Sequence, residues 1–181
     1  MNYVDPIKSR DDIKKLENWL EKHNKRNRLI FAFGVNTGLR ISDILGLNIT
    51  DVYNKTHVAI REKKTNKYKR FLLNNKLRIL IKDYLKDKEI TDAPLFTGKK
   101  GHRLHRSQVY RFLNEACDAV GIKENVGCHS LRKTFGYHHY KQFDDIVLLQ
   151  KIFNHSSPAV SLFYIGIDQE VIDESYKNFE L

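Results

Sequence analysis

The chain has 181 residues, 41% hydrophobic and 30% charged, which suits one domain with a sizeable core and excludes general disorder. Lys and Arg number 32 against 22 Asp and Glu, leaving a net charge of +10, so a polyanionic partner is expected, nucleic acid ahead of membrane. No apolar run approaches a bilayer span, and the N-terminus, MNYVDPIKSRDD, is too polar for a signal peptide.

In chain order, Ser9-Arg10-Asp11-Asp12 has the pattern of a capping box, and Ile13, Leu16 and Leu20 follow at helical spacing. A second, apolar helix is predicted over Leu29 to Val35, ending at the Asn36-Thr37-Gly38 break, and a short third one over Ile41, Ile44 and Leu45. His57 to Ile60 and Arg70 to Leu73 are short β-like runs around the polar stretch Lys63 to Lys69, a hairpin signature. Helical periodicity returns in Leu77, Leu80, Ile81, Tyr84 and Leu85. It continues in Val109, Phe112, Leu113, Ala116 and Val120, with Ser107 as N-cap. Further helices are predicted over Ser130 to Lys141, Asp144 to Phe153, Pro158 to Ile165 and Gln169 to Phe179. The expected fold is α+β and mostly helical, with one small antiparallel hairpin and no interior domain boundary. Cys117 and Cys128 form neither a CxxC pair nor a disulfide framework, which fits a reducing, cytoplasmic setting.

The positive charge is concentrated. Lys22 to Arg28, Arg61 to Arg70 and Lys99 to Arg106 carry +4, +5 and +4, so the rest of the chain is net negative, and Asp168 to Leu181 is acidic by itself. Singly, each run suits a solvated loop. Three runs together suggest one phosphate-contacting face, with Lys25, Arg26, Arg28, Lys63, Lys67, Lys69, Arg70, Lys99, Lys100, Arg103, Arg106 and Lys133 as candidate DNA contacts.

Four pieces carry candidate chemistry. In TGLRISDILGL, Gly38 permits a sharp turn, and Arg40 and Asp43 stand three residues apart. An arginine between Leu39 and Ile41 is hard to keep solvated, so burial with an anion is expected. Lys64 lies in the hairpin turn, where lysines are ordinary surface residues. His129 and Arg132 share a face at a helix start, near amides that favour anions. His155 is followed nine residues later by Tyr164, which could equally be a packing residue beside Leu162 and Phe163.

In this order and spacing the stretches TGLRISDILGL, KKTNK, HSLRKTF and LLQKIFNHSSPAVSLFY resemble the catalytic domain of the tyrosine recombinases, the phage integrase family, over residues 10 to 165. The resemblance implies that Arg40, Lys64, His129, Arg132 and His155 are catalytic and Tyr164 the nucleophile. It makes Asp43 a supporting acid. Lys63 and Lys67 compete for the lysine role, and Lys64 fits the family register best. The resemblance also implies double-stranded DNA as partner, a homotetramer on DNA in which a segment such as Gln169 to Phe179 passes to a neighbour, and no cofactor. The family's usual N-terminal domain has no counterpart ahead of Arg10, so residues 1–181 are expected to be a single catalytic domain.

These residue types suit phosphodiester transfer. A tyrosine phenol, with pKa about 10, needs positive charge or a base to attack as phenolate. Two arginines offer planar forks for non-bridging phosphate oxygens, a purely side-chain form of charge stabilisation. No Asp/Glu cluster of the two-metal kind and no P-loop occurs in the sequence. Rival readings are a type IB topoisomerase, a helical DNA-binding module without catalysis, and a metal site from Cys128, His129, His138 and His139, for which neither CxxC nor HExxH spacing exists.

Overall fold

The structure is a computed structural model describing residues 4–167, 173 and 175–180. Ser9 Oγ accepts from the Asp12 amide at 3.2 Å and starts α1 (Arg10–His23), whose Leu16 and Leu20 are fully buried. Asn24 caps α2 (Lys25–Thr37) through the Asn27 amide. That cap explains why α2 begins four residues before the apolar run that marks it in the sequence. Leu29 to Phe33 are at most 1% exposed, so α2 is buried on every side and is the central rod, packed against α1, α5 (Asn75–Leu85) and α7 (Cys128–Phe143). At Gly34 a side chain would run into Leu131, with a Cβ only 2.5 Å from the Leu131 Cβ. Glycine there lets α2 and α7 approach closely.

After α2, Gly38 adopts φ +61 as the C-cap, a conformation that costs glycine little. The chain then makes α3 (Ile41–Ile44), α4 (Ile49–Val52) and the hairpin β1 (His57–Arg61) and β2 (Tyr68–Leu72), paired antiparallel with Ile60 opposite Lys69. The one-turn α4 had no signal in the apolar pattern. Nor did two isolated bridges, Asn48 with Pro94 and Thr97 with Arg103, that order the loop between α5 and α6 (Arg106–Val120). The cap of α6 is His105 rather than Ser107: its Nδ1 accepts from the Ser107 amide at 3.3 Å, the task a hydroxyl would do. α7 begins two residues before the expected Ser130, whose Oγ instead accepts from the Gly127 amide at 3.0 Å. Asp144 (φ 50) ends α7, and Asp145 caps α8 (Ile146–Phe153), so the two Asp residues expected inside the helix form its entry turn. Ser157 and Pro158 then open α9 (Pro158–Ile165). Of the helix expected over Gln169 to Phe179, residues 169–172 and 174 lie outside the described residues; Asp173 and 175–177 are helical.

Two apolar clusters result. The larger gathers α1 to α6 and the start of α7; the smaller consists of Leu149, Phe153, Ile165 and Ile167, with Phe135, Tyr140, Leu162 and Tyr164 around it. Both cysteines are free, and burial pushes the Cys117 thiol up to about 11. Among the described residues no helix is long and apolar enough to cross a membrane.

Candidate active site

Arg132 is the centre of the site. It lies on α7, one turn in from the helix start, and is 2% exposed. Its guanidinium donates to the Gly38 carbonyl at 2.6 Å and the Phe153 carbonyl at 2.8 Å, and sits 4.3 Å from the Phe153 ring centroid. One side chain thereby ties together the turn before Arg40 and the helix end before His155. Burial lowers its pKa to about 10, the Tyr164 hydroxyl opposing and Arg40 adding to the fall, so the charge persists at neutral pH.

Arg40 stands just before α3, at its N-cap, and is largely buried. The expected anion is present but is not Asp43. Arg40 Nη1 lies 3.0 Å from Oε1 of Glu62, a fully buried carboxylate, as an ion pair without aligned hydrogen-bond geometry. Burial pushes the Glu62 pKa up, but donors Thr65 and Asn154 and the charges of Arg40 and Lys69 outweigh it and hold it below the usual range. Asp43 instead accepts from the Lys63 amide at 2.9 Å and fastens the hairpin turn beside Lys64. Its Oδ2 is buried with no hydrogen-bond partner among the described residues.

His155 follows α8. Its Nδ1 lies 3.0 Å from Ser161 Oγ, and its ring centroid is 5.1 Å from that of Tyr164 in an edge-on arrangement. Burial, then Arg132 and Arg40, lowers the His155 pKa to about 4, so the imidazole is neutral at physiological pH. Burial raises the Tyr164 pKa, while Arg132, through charge and a hydrogen bond, and Arg40 pull it back. His129, on the first turn of α7, has its pKa lowered by desolvation and then by Arg106, Arg132 and Lys64, which puts the hairpin tip within electrostatic reach of the helix start. Lys64 itself is exposed at that tip.

The candidate DNA contacts divide. Lys63, Lys67, Arg70, Lys99, Lys100 and Arg106 are exposed. Lys25 pairs with Asp83, Arg28 with Glu21, and Arg26 holds the Thr97 carbonyl. These three start α2, a 13-residue rod about 20 Å long, with Arg40 beyond its other end. Arg103 donates to the Leu45 and Leu47 carbonyls and holds a loop. Two others are corrected from surface to interior. Lys133 is 5% exposed, with its ammonium 5.5 Å from the Tyr164 ring centroid. Lys69 points to the Ile152 carbonyl at 2.7 Å, and burial, with Arg132 nearby, lowers its pKa to about 8.

Glu62 and Asn154 are thus neighbours of the site that the sequence reading missed, and Lys69, read there as a DNA contact, is placed among them. The strand pattern held a signal for Glu62 and Lys69. Val58 and Ile60 face inward on β1, and Lys69 and Phe71 on β2. Extending the two-residue period puts Glu62 inward as well. Of the residues weighed as a metal site, His138 Nε2 contacts the Ile7 carbonyl and His139 lies tilted against the rings of Phe135 and Phe143. Among the described residues no three His, Cys, Asp or Glu cluster as a metal site would need.

Residues 9–170 match the phage integrase family. The probable integrase/recombinase YoeC of Bacillus subtilis is 42% identical over 99% of this chain and 98% of its own length. The tyrosine recombinase XerH of Campylobacter jejuni is 33% identical over 90% of the chain but only 48% of its own length, so the chain spans about half of that relative. Among solved structures, XerA recombinase superposes with a TM-score of 0.81 at 23% identity, covering 100% of this chain and 67% of that one. XerH bound to palindromic difH substrate, in a post-cleavage complex, gives 0.76 at 25% identity over 98% and 54%. The fold is that of the tyrosine recombinase catalytic domains, and the chain belongs to the phage integrase family.

Proposed function

We propose that the chain performs site-specific recombination by cutting and rejoining DNA through Tyr164. The observation that carries this reading is Arg132: it binds the turn carrying Arg40 and the helix end carrying His155, and its charge acts on Tyr164. A phosphate beside Tyr164 meets Arg40 and Arg132, whose charge the buried Glu62 and Asp43 only partly offset. Tyr164 Oη forms a bond to phosphorus as the bond to the 5′-oxygen breaks. Neutral His155, with Nδ1 engaged by Ser161, exchanges the proton through its other ring nitrogen. Lys64, on the exposed hairpin tip, protonates the leaving 5′-oxygen. The resulting 3′-phosphotyrosyl bond conserves the energy of the broken one, and reversal with a new 5′-hydroxyl rejoins the strand.

Exchange between two sites calls for four copies on DNA, with the acidic C-terminal segment reaching a neighbour, and places the working protein on DNA in the cytoplasm. The XerH complex with its difH substrate supports DNA as the partner. The test is incubation with nicked candidate-site DNA, denaturation and a search for covalent adducts. Tyr164→Phe is expected to abolish the adduct and leave DNA affinity within about twofold, since only a hydroxyl is lost. An adduct that survives in this variant, or maps to Tyr137, Tyr140 or Tyr176, overturns the assignment.

A further inference from the structure

Three successive residues at the end of α8 are each held by a charged side chain from elsewhere. Lys69 Nζ donates to the Ile152 carbonyl at 2.7 Å, Arg132 to the Phe153 carbonyl at 2.8 Å, and the Asn154 amide donates to Glu62 Oε2 at 3.2 Å. The carbonyls at a helix C-terminus carry partial negative charge and suit cationic donors. Arg132 belongs to the site already described. The other two contacts do something different: both run from the hairpin, one from β2 and one from the residue following β1, to the helix that precedes His155.

We propose that Lys69 and Asn154 are positioning residues that latch the hairpin to the end of α8, so that Lys64 is placed relative to Tyr164. The hairpin has few other attachments near its tip. Asp43 fastens the Lys63 amide, and Glu62 and Lys67 close the turn across the strands, but Lys64 itself is exposed. Without the latch the hairpin can pivot about the Asp43 contact, and a proton donor displaced by about an ångström loses most of its effect. Lys69 is suited to the task because it lies on the inward face of β2 opposite Ile60. Burial and the neighbouring Arg132 and Arg40 disfavour its charged form, while Glu62 and Asp43 favour it, which ties the ammonium to the carboxylate side of the hairpin. Asn154 is suited because it terminates α8 at φ +54, where asparagine is one of the few residues that fit, and its amide is presented to Glu62 as the helix ends.

The inference rests on the reading of Lys64 as proton donor in the cleavage reaction, and one experiment separates the two. Single-turnover cleavage is measured on ordinary DNA and on DNA whose bridging 5′-oxygen is sulfur. A thiolate leaves without a general acid, because its conjugate acid has pKa about 8.5. Lys69→Met and Asn154→Gly, the latter keeping the left-handed backbone, are compared with Lys64→Ala and wild type, with DNA affinity and melting temperature measured alongside. The expected result is that both latch variants cleave ordinary DNA at least about tenfold more slowly at unchanged affinity and recover most of that rate on sulfur-bridged DNA. Lys69→Arg, which can still reach the Ile152 carbonyl, retains most of the wild-type rate. Equal slowing on both substrates, or loss of DNA affinity, means that the contacts merely support the fold, and overturns the latch. Rescue of Lys64→Ala without rescue of the latch variants also overturns the latch and leaves the mechanism standing. Failure of sulfur to rescue Lys64→Ala overturns the mechanism on which the latch depends.

Discussion

Arg132 and Tyr164 act on one another through charge, yet they are anchored in different parts of the molecule. Arg132 follows Leu131, which packs into the large cluster against Gly34 of α2, and both its fixed partners are backbone carbonyls. Tyr164 lies on α9, an eight-residue helix that packs chiefly on α7 and α8 around four buried apolar residues. The arginine side is a preformed cradle, whose cost in conformational entropy is met when the core folds. On the tyrosine side, α9 can loosen while the Arg132 contacts to Gly38 and Phe153 hold, because local opening follows the number of buried apolar contacts a segment makes. Under the function proposed above, a nucleophile that attacks a phosphate, stays attached to DNA and then leaves benefits from riding on the looser of the two.

The largest expected effect comes from weakening the cradle itself. Arg132→Lys keeps the charge but cannot reach two carbonyls with one ammonium, since a lysine lacks the planar fork. One buried carbonyl is left unpaired, at about 1–3 kcal/mol, and the Arg40 and His155 turns lose their common tie. Cleavage is expected to fall by at least about a hundredfold, with a lower melting temperature. An Arg132→Lys variant that melts and cleaves like wild type would mean that the two turns are held by other contacts.

Smaller, and aimed at the other side, is Ile165→Ala. The side chain is fully buried in the small cluster, against Gly136 and Phe153, and its truncation removes about 2–4 kcal/mol. If α9 opens as its own unit, hydrogen exchange accelerates in that helix while the melting temperature, set by the large core, moves little. Phe33→Ala, in the large cluster, is expected to lower it strongly. Equal shifts in melting temperature for the two variants would make the clusters one cooperative unit and remove the distinction drawn above.

The same division marks what the sequence discloses. Helices α1, α5 and α6 are legible because an amphipathic face repeats, and Ser9 caps the first of them as its sequence pattern suggests. The large core follows from that periodicity. Arg40, His129, Arg132, His155 and Tyr164 stand out through motif order, although only the folded chain shows Arg132 joining Gly38 to Phe153. The strand period turns Glu62 inward, but its pairing with Arg40 was not legible, because it lies 22 residues away in a run of cations and resembles a charge diluting a solvated loop. Asp43, three residues from Arg40, was the natural local candidate; instead it takes a hairpin amide. Lys69 and Lys133 read from the sequence as DNA contacts, and lysines are seldom buried. Both turn inward where Glu62 or the Tyr164 ring offers company. Long-range ion pairs leave no periodicity, and they account for most of what the sequence withheld.

The smallest expected effect concerns protons, and it bears on the same contrast. Arg132 keeps its charge throughout the ordinary pH range, whereas the tyrosine side carries a group that titrates. His155 has a pKa of about 4 in the folded chain, lowered first by burial and then by Arg132 and Arg40, with Glu62 opposing. In the unfolded chain it takes up a proton near 6.5. Above pH 6.5 both states hold it neutral and it does not affect stability. Between 6.5 and 4 the unfolded state binds a proton that the native state refuses, so stability falls as pH falls through that window. Below about 4 both states are protonated and this contribution levels off. Glu62, held below its usual range, acts in the same direction at lower pH, around and below 4.5. His155→Gln, with no titrating ring, is therefore expected to flatten the decline of melting temperature between pH 6.5 and 4.5. A residual slope remains from His129 and His138, whose pKa values are also lowered by burial. The readout is calorimetric melting in steps of half a pH unit for wild type and variant. Parallel curves would show that the small cluster leaves His155 as free to take a proton as the unfolded chain does, and so opens far more readily than its four buried apolar residues suggest.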